Sequence, residues 1–298
     1  MGLFERKLRK LEENENGVNL LKASSDKASD VIKTLAGVGT DGGVKVADNL
    51  ILFTNTSGGT GTSTIVSNVA FMAVEKNIKT CVVDLNILCP MQPALFGVNR
   101  EAMKDDLVSY LLGKSSLSDC IDKSEPVHLI YANDKLLLDK LYCNERVSIE
   151  NLNQMFSKLR QFYDLVILDC PMTIDSMLEN VALYACDTMY VVWDESLASM
   201  INTERVRRSL ALSGIDSFIK MKVILNKRTS IHYTTYPVEK MNIELVEILP
   251  FDIDIMDSQL KGQLFCKNGV SNKPNALKFA EKIDSLTDKI LKNGGYVK

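Results

Sequence analysis

The clearest chemical signal in this chain is a glycine-rich loop between an apolar run and a helical pattern. Residues 54–64 read Thr-Asn-Thr-Ser-Gly-Gly-Thr-Gly-Thr-Ser-Thr, after the apolar residues 50–53 and before a segment of helical period that runs to about residue 76. Glycines here let backbone N–H groups wrap a phosphate, and the following helix adds its positive N-terminal end. We predict that residues 56–64, the phosphate loop, bind phosphate through Gly58, Gly59, Thr60, Gly61, Thr62, Ser63 and Thr64.

The phosphate loop lacks the lysine that usually ends such a motif. The usual motif closes with Gly-Lys-Ser or Gly-Lys-Thr, whereas this chain has Gly61-Thr62-Ser63. A threonine hydroxyl is neutral, so it cannot make the charge-assisted contact that lysine makes with the β- and γ-phosphates. Loss of such a contact costs roughly 1.5–3 kcal/mol. The sequence therefore keeps the backbone that holds a phosphate and loses a charge used in γ-phosphate chemistry.

Two aspartates at the ends of predicted strands indicate a metal site beside the phosphate loop. Asp84 ends the apolar run 80–84, and Asp169 ends the apolar run 165–169. Open α/β sheets bind ligands at the carboxyl ends of their strands, where an aspartate binds Mg²⁺ directly or through water. One strand-end aspartate alone is more often a turn residue, but two of them after a phosphate loop favour a metal site. The predicted Mg²⁺ ligands are Ser63, Asp84 and Asp169.

The order of apolar runs and helical patterns predicts an α/β fold. Short strands that are apolar on both faces alternate with helices, which indicates a doubly wound, mostly parallel sheet with helices on both faces. The predicted strands are 51–55, 80–84, 127–132, 165–169, 189–193, 221–226 and 245–250. The predicted helices are about 63–76, 148–162, 176–185, 196–212 and 273–292. We assign this single domain to residues 50–298.

Residues 1–49 are predicted to be an N-terminal helical extension and a glycine-rich linker. Residues 2–11 combine one apolar helix face with basic side chains, and a second helical pattern at 21–35 runs into four glycines before residue 44. The segment 2–11 allows two interpretations, peripheral contact with an anionic membrane or docking on protein. Docking is favoured because four apolar side chains make a marginal membrane anchor.

Composition and charge exclude several classes of protein. The net charge of −3 and 24% charged residues do not suit a dedicated nucleic-acid binder. The N-terminus becomes charged too early for a signal peptide, and no apolar run approaches the ~18 residues of a membrane span. Seven scattered cysteines without a Cys-x-x-Cys pair suggest reduced thiols. We expect a cytoplasmic protein, with peripheral contact at the inner face of the membrane left open.

Two further groups of residues have a structural and a functional interpretation. The basic cluster 205–208, with Lys220, Lys222, Lys227 and Arg228, is either a solvated surface or a DNA-phosphate contact, and we favour the former. His128 and His232 are isolated in sequence, and no metal-ligand spacing surrounds them. We interpret both histidines as structural or surface residues.

The motifs, taken in order, resemble the ParA/MinD group of deviant-Walker-A ATPases. That family has a signature lysine before Gly-Gly, then Gly-Lys-Thr, Asp-x-Asp, Asp-x-Pro, Val-x-x-Asn and Ile-Pro-x-Asp. The counterparts here are Ser57, Thr62, Asp84-Leu85-Asn86, Asp169-Cys170-Pro171, Val223-Ile224-Leu225-Asn226 and Leu249-Pro250-Phe251-Asp252. The resemblance covers about residues 50–292 and leaves the first 49 residues outside.

The resemblance implies a P-loop NTPase fold, ATP or ADP with Mg²⁺ as ligands, and a homodimer that works with protein partners. It also places the adenine near Asn226 and the backbone at Pro250. Three departures bear on hydrolysis: Ser57 is too short to reach a partner's phosphates, Thr62 is neutral, and Asn86 cannot accept a proton from water. Because phosphoryl transfer depends on positioning and charge neutralisation, we assign no catalytic residue and expect at most residual hydrolysis.

By this resemblance we expect a catalytically degenerate ParA/MinD-like protein, a dimeric spatial organiser or assembly scaffold for a bacterial surface, secretion or conjugation machine. The TadZ/CpaE-like and FlhG-like branches of the family have such roles. Two alternatives stay open. One is an active DNA-partition ATPase with an atypical loop, and the other is a structural interaction subunit that binds no nucleotide.

Overall fold

The computed structural model describes residues 48–133, 148–171, 177–212, 220–229, 238, 241–267 and 273–295. Its strands are β1 (Leu50–Asn55), β2 (Thr80–Asp84), β3 (His128–Ile130), β4 (Leu165–Asp169), β5 (Thr188–Trp193), β6 (Lys220–Arg228) and β7 (Glu244–Pro250). They form one sheet of order β3-β2-β4-β1-β5-β6-β7. Every neighbouring pair is parallel. The predicted α/β fold is confirmed, and within the described ranges the sheet is parallel throughout.

In the described ranges helices connect the successive strands from β1 to β6, as parallel pairing requires, and two further helices follow β7. They are α1 (Thr62–Glu75), α2 (Gln92–Phe96), α3 (Leu107–Leu111), α4 (Ile149–Phe162), α5 (Met177–Ala185), α6 (Leu197–Leu212), α7 (Ile253–Leu260) and α8 (Pro274–Asn293). Short 3₁₀ turns occur at Arg100–Ala102 and Leu117–Cys120. The five predicted helices correspond to α1, α4, α5, α6 and α8. The other three helices are short, with at most eight residues each, so they carry little helical periodicity.

Both faces of the sheet are covered, which explains why its strands are apolar throughout. Every residue of β2, β4 and β5 is buried. Successive β4 side chains point to opposite faces, so Ile167 packs in the core that contains α1 and α8, and Leu168 packs in the core that contains α4 and α5. The apolar face of α8, including Ile283 and Leu286, is fully buried. The apolar residues of α8 are therefore explained by packing against the core of the same chain.

The strand order brings the predicted site residues to one edge of the sheet. In the sheet β4 separates β1 from β2, and β5 flanks β1 on the other side. Asp169 is the register partner of both Phe53 and Asp84. The connection from β1 to α1 therefore leaves the sheet beside two strand-end aspartates. This is the position at which open α/β sheets bind ligands.

The predicted N-terminal extension lies outside the described residues, apart from residues 48 and 49. The same holds for the segment 2–11 and for His232, so the interpretations of these regions and the division at residue 49 stay predictions. In the described part of the chain, no helix is both long enough and apolar enough to cross a lipid bilayer.

Candidate functional site

The phosphate loop requires glycine at two positions. Gly59 and Gly61 have φ of +79° and +90°, in the left-handed region that glycine tolerates. A Cβ atom on Gly61 would lie 2.6 Å from Asn226 Nδ2, so space as well as conformation excludes a side chain there. Gly58 lies outside this φ region, and an added Cβ would meet no atom of the described residues within 4 Å. The structure thus explains two of the three predicted glycines.

The end of β6 holds the phosphate loop from one side. Asn226 Nδ2 donates to the carbonyl oxygen of Thr60 at 2.8 Å. Lys227 Nζ donates to the carbonyl oxygen of Gly59 at 2.6 Å. Asn226 is buried, so its bond satisfies a carbonyl group that would otherwise lack a partner away from water.

The N-terminus of α1 presents uncapped backbone N–H groups at the end of the phosphate loop. The residue before the helix is Gly61, which has no side chain to cap the first turn. That turn contains no acidic residue, and Thr62, Ser63 and Thr64 form its start. Unpaired N–H groups and the positive end of the helix dipole favour an anion at this position. The loop and helix together therefore keep the backbone arrangement of a phosphate site.

The N-terminus of α6 holds the phosphate loop from the other side. Thr56 Oγ1 donates to the carbonyl oxygen of Ser199 at 3.0 Å, and Asn202 Nδ2 donates to the carbonyl oxygen of Thr56 at 2.9 Å. Ser57 Oγ lies 2.7 Å from Ser199 Oγ. The side chain at the position of the family's signature lysine is therefore bonded within its own chain.

Asp194 fixes the direction of the bond between Ser57 and Ser199. Burial raises the pKa of Asp194, but hydrogen bonds from the hydroxyl groups of Ser196 and Ser199 and from backbone N–H groups together hold the pKa below its ordinary value. The ionised carboxylate only accepts, and it takes the hydrogen of Ser199 Oγ at 2.7 Å. Ser57 must then donate its own hydrogen to Ser199.

A cavity of about 340 Å³ lies against the phosphate loop, within the size range of small-molecule sites. Its wall includes the predicted residues Gly59, Thr60, Gly61, Thr62, Ser63, Thr64, Asn226 and Pro250. Phe251, Ile255 and Met256 add an apolar wall, which suits a planar base. Gly58 belongs to the loop but is not part of this wall among the described residues.

Asp84 and Asp169 form a buried acidic pair next to the phosphate loop. They are register partners on β2 and β4, with 0% and 5% of their surfaces exposed. Burial and the nearby charge of Asp169 raise the pKa of Asp84, against the hydrogen bonds that it accepts from three backbone N–H groups. Burial also raises the pKa of Asp169. Two carboxylates held together away from water favour a bound cation.

Gln92 connects this acidic pair to the start of α1. Its Nε2 donates to Asp169 Oδ2 at 2.6 Å and to the carbonyl oxygen of Ser63 at 3.1 Å. The Ser63 hydroxyl also hydrogen-bonds Asp169, and Gln92 Oε1 is buried with no partner among the described residues. Two carboxylates, a hydroxyl and an unpartnered amide oxygen are the oxygen ligands that Mg²⁺ prefers. The structure therefore brings Ser63, Asp84 and Asp169 together, and the chemistry of these donors fits Mg²⁺; their role as metal ligands stays a prediction.

Sequence reasoning missed Gln92 and also Gln259, which donates from Nε2 to Thr64 Oγ1. Gln92 follows Asp84 by eight residues and begins the short helix α2, and Gln259 comes from the short helix α7. Neither belongs to a recognisable motif. The contact between Lys227 and Gly59 was missed for the same reason, although Lys227 had been included in a basic cluster.

Comparison with known proteins identifies the family. A family model described as an AAA domain matches residues 48–230, more than half of the chain. The septum site-determining protein MinD of Thermotoga maritima is 23% identical over 230 residues, which are 75% of this chain and 83% of that protein. The chain belongs to the ParA/MinD-like P-loop ATPase family. An uncharacterised ATP-binding protein of Methanocaldococcus jannaschii is also 23% identical, over 68% of this chain and 73% of that protein.

Solved structures of ParA/MinD-like proteins share the fold. MinD of Pyrococcus horikoshii, in complex with Mg-ADP, has a TM-score of 0.67 and 21% identity, covering 82% of this chain and 97% of that one. A ParA family ATPase from Chlorobium tepidum has a TM-score of 0.65 and 21% identity, covering 82% of this chain and 98% of that one. The ParA/MinD-like architecture therefore extends over most of the chain.

The remaining surface features of this ParA/MinD-like chain favour structural interpretations. Arg207 and Arg208 both bond the carboxylate of Glu204 within α6. His128 Nδ1 lies 2.8 Å from the Tyr163 hydroxyl, in a side-chain pair at the sheet. Contact with DNA remains the alternative that we do not favour, and the dimer stays a prediction.

Proposed function

We propose that this ParA/MinD-like protein binds an adenine nucleotide with Mg²⁺ in the cavity at the phosphate loop and hydrolyses it poorly. The observation that carries the proposal is the loop itself. Its backbone keeps the left-handed glycines and the uncapped helix N-terminus, while neutral side chains stand at both lysine positions. Nucleotide binding depends mainly on the loop backbone and the helix N-terminus, which this chain keeps. Hydrolysis depends on the lysine charges, which this chain lacks.

The hydroxyl groups at the two lysine positions have internal partners. Thr62 Oγ1 accepts from Asn55 Nδ2 at 3.2 Å and lies 3.1 Å from Thr60 Oγ1. Ser57 is bonded to Ser199. Neither side chain carries a charge that would neutralise the γ-phosphate. In this proposal Mg²⁺, held by Ser63 with Asp84 and Asp169, supplies neutralising charge when it is bound.

Asn86 is the third reason to propose slow hydrolysis. Its Oδ1 accepts from the backbone N–H of Cys89 at 3.3 Å. An amide can orient a water molecule, but it cannot take a proton from it as a carboxylate can. We therefore propose that the bound nucleotide stays unhydrolysed for long periods.

We further propose a role as a dimeric spatial organiser or assembly scaffold for a bacterial surface, secretion or conjugation machine. The curated relatives include septum site-determining proteins, and MinD of Aquifex aeolicus was solved in complex with MinC. This chain also exposes large apolar side chains close to its site. Leu88 follows the Asp84 segment, and Leu197 and Ile201 lie on α6, which holds Thr56; they are 53%, 67% and 44% exposed. We propose that these side chains contribute to the contact with a protein partner.

The test combines thermal unfolding with phosphate release. ADP and ATP should raise the melting temperature of the full chain, and Mg²⁺ should enlarge the shift. A ligand at 100 times its Kd stabilises the native state by about 2.7 kcal/mol. Phosphate release should stay close to background. Robust Mg²⁺-dependent turnover would contradict poor hydrolysis, and no shift with either nucleotide would favour a subunit that binds no nucleotide.

A further inference from the structure

We propose that Lys227, at the end of β6, supplies the positive charge that the phosphate loop has lost at residues 57 and 62. The inference rests on the proposed nucleotide binding. It identifies the residue whose positive charge attracts the phosphate groups of the nucleotide. Three observations carry it. They are the backbone conformation of Lys227, the contact that it makes, and the composition of the cavity wall.

The backbone of β6 is irregular where Lys227 lies. The register between β6 and β7 shifts between Leu225 and Arg228, and Lys227 has φ of +55°. This left-handed conformation is unfavourable for a lysine, because L-residues other than asparagine and aspartate rarely adopt it. Irregularities of this type redirect a side chain and are common beside functional sites. Here the redirected side chain reaches the phosphate loop.

The contacts of Lys227 and Asn226 orient the peptide groups of the loop. Lys227 bonds the carbonyl oxygen of Gly59, and Asn226 bonds that of Thr60. In a planar trans peptide the N–H group of the next residue points opposite to the carbonyl. The N–H groups of Thr60 and Gly61 therefore point away from the two β6 side chains. Consecutive N–H groups held in this way bind an anion on the side of the loop away from Lys227, so for that anion the lysine contributes through its charge and not through a bond to the same oxygen.

Lys227 also brings charge to the cavity. Among the described residues that form the cavity wall, it is the only lysine or arginine. Its ammonium group has three N–H donors, and Gly59 takes one of them, so the group can bond a ligand oxygen at the same time. The positive charge comes from β6, whereas the usual phosphate loop carries it within its own motif.

The test is isothermal titration calorimetry of ADP and of adenosine with four forms of the full chain. These are wild type, Lys227→Met, Lys227→Arg and a control, Lys158→Met. Lys158 is exposed on α4, on the opposite face of the sheet from α1. Lys227→Met should weaken ADP binding about tenfold, whereas Lys227→Arg keeps the charge and should retain most of the wild-type affinity. Lys158→Met should bind ADP like wild type. Adenosine has no phosphate, so its affinity should change less than about twofold.

Two outcomes would overturn the inference. One is an unchanged ADP affinity in Lys227→Met, and the other is an equal loss for adenosine and ADP, which would assign the lysine to the nucleoside. Lys227→Gly provides a second variant, because glycine accepts the φ of +55° and also removes the ammonium group. If wild type binds neither ADP nor adenosine, the proposed nucleotide binding is wrong, and the role of Lys227 is rejected with it.

Discussion

Asn226 and Thr60 are 166 residues apart in sequence, and a buried hydrogen bond of 2.8 Å joins the side-chain amide of one to the carbonyl oxygen of the other. This contact fixes the phosphate loop to the end of β6. It also leaves no room for a side chain on Gly61, since an added Cβ would lie 2.6 Å from the same amide nitrogen. The anion-binding backbone thus depends on a strand outside the glycine motif.

Substitution of Gly61 by alanine should abolish ADP binding and lower stability. The φ of +90° and the clash with Asn226 Nδ2 both oppose a Cβ atom. The conformational part alone costs roughly 1–2 kcal/mol. Gly58→Ala is the matched control, because its Cβ meets nothing within 4 Å and its φ is not left-handed. Thermal unfolding and ADP titration of both variants check this, and equal behaviour of the two would contradict the described loop.

Asn226→Ala should destabilise the protein by about 1–3 kcal/mol, because it leaves the Thr60 carbonyl without its partner. The same substitution removes the atom that a Cβ on Gly61 would meet. The cost of Gly61→Ala should therefore be smaller in the Asn226→Ala background than in wild type. Urea unfolding of the two single variants and the double variant measures this coupling, and strict additivity would count against it.

Asp169→Asn should remove the effect of Mg²⁺ on nucleotide binding. Asparagine can keep the bonds with Gln92 and Ser63, so the fold should tolerate it, but the metal loses a carboxylate. The melting temperature with ADP should then be the same with Mg²⁺ and with a chelator. Asp257→Asn serves as the control, since Asp257 is an exposed partner of Lys261. A full Mg²⁺ effect in Asp169→Asn would exclude this metal site.

Restoring the loop lysines should strengthen ATP binding. The double variant Ser57→Lys, Thr62→Lys places positive charge at both positions that are neutral here, and one charge-assisted contact is worth about tenfold in affinity. Thr62→Met is the control for side-chain size. Calorimetry with ATP should show the gain for the lysine variant alone. No gain would mean that the loop backbone has departed from a phosphate-binding arrangement.

The ionised side chain of Glu247 should make the stability of the folded protein depend on pH. Burial raises its pKa, but bonds from Lys282, Lys289 and Ser285 contribute to a net lowering below the ordinary value. Since the folded pKa is the lower one, its stabilisation is present above about pH 4.3 and disappears as the pH falls through the folded pKa. Glu247→Gln should therefore be less stable than wild type by about 1–3 kcal/mol at pH 7, with a smaller difference below pH ~4.

Glu244→Gln is the matched control for this prediction. Glu244 lies on the same strand, but its side chain is 60% exposed and pairs with Lys222. An exposed pair contributes about 0–1 kcal/mol, so this variant should stay close to wild type at both pH values. Urea unfolding at pH 7 and at about pH 3 compares the two, and similar losses in both variants would contradict the role of Glu247.

The strands and long helices could be predicted because their signals are local. Buried parallel strands such as β4 are apolar in every position before the final aspartate, and long helices such as α1 repeat their apolar residues over several turns. The glycines and the strand-end aspartates belong to motifs with a known mechanism. The short helices α2, α3 and α7 were not predicted, because one or two turns carry too little periodicity.

The contacts that complete the site could not be predicted, because they join residues that are distant in sequence. Gln92 reaches Ser63 and Asp169, and Lys227 reaches Gly59 only because β6 is irregular and Lys227 adopts a left-handed conformation. No residue type or spacing indicates either contact. Such contacts depend on strand order and register, which become known only from the folded chain.

Calorimetric titration of ADP with Mg²⁺ into the purified full chain tests the central claim most directly. The account predicts saturable binding at one site per chain, with a Kd below about 1 mM. An absence of saturable heat at millimolar ADP, in a sample whose cooperative thermal unfolding shows that it is folded, would contradict it.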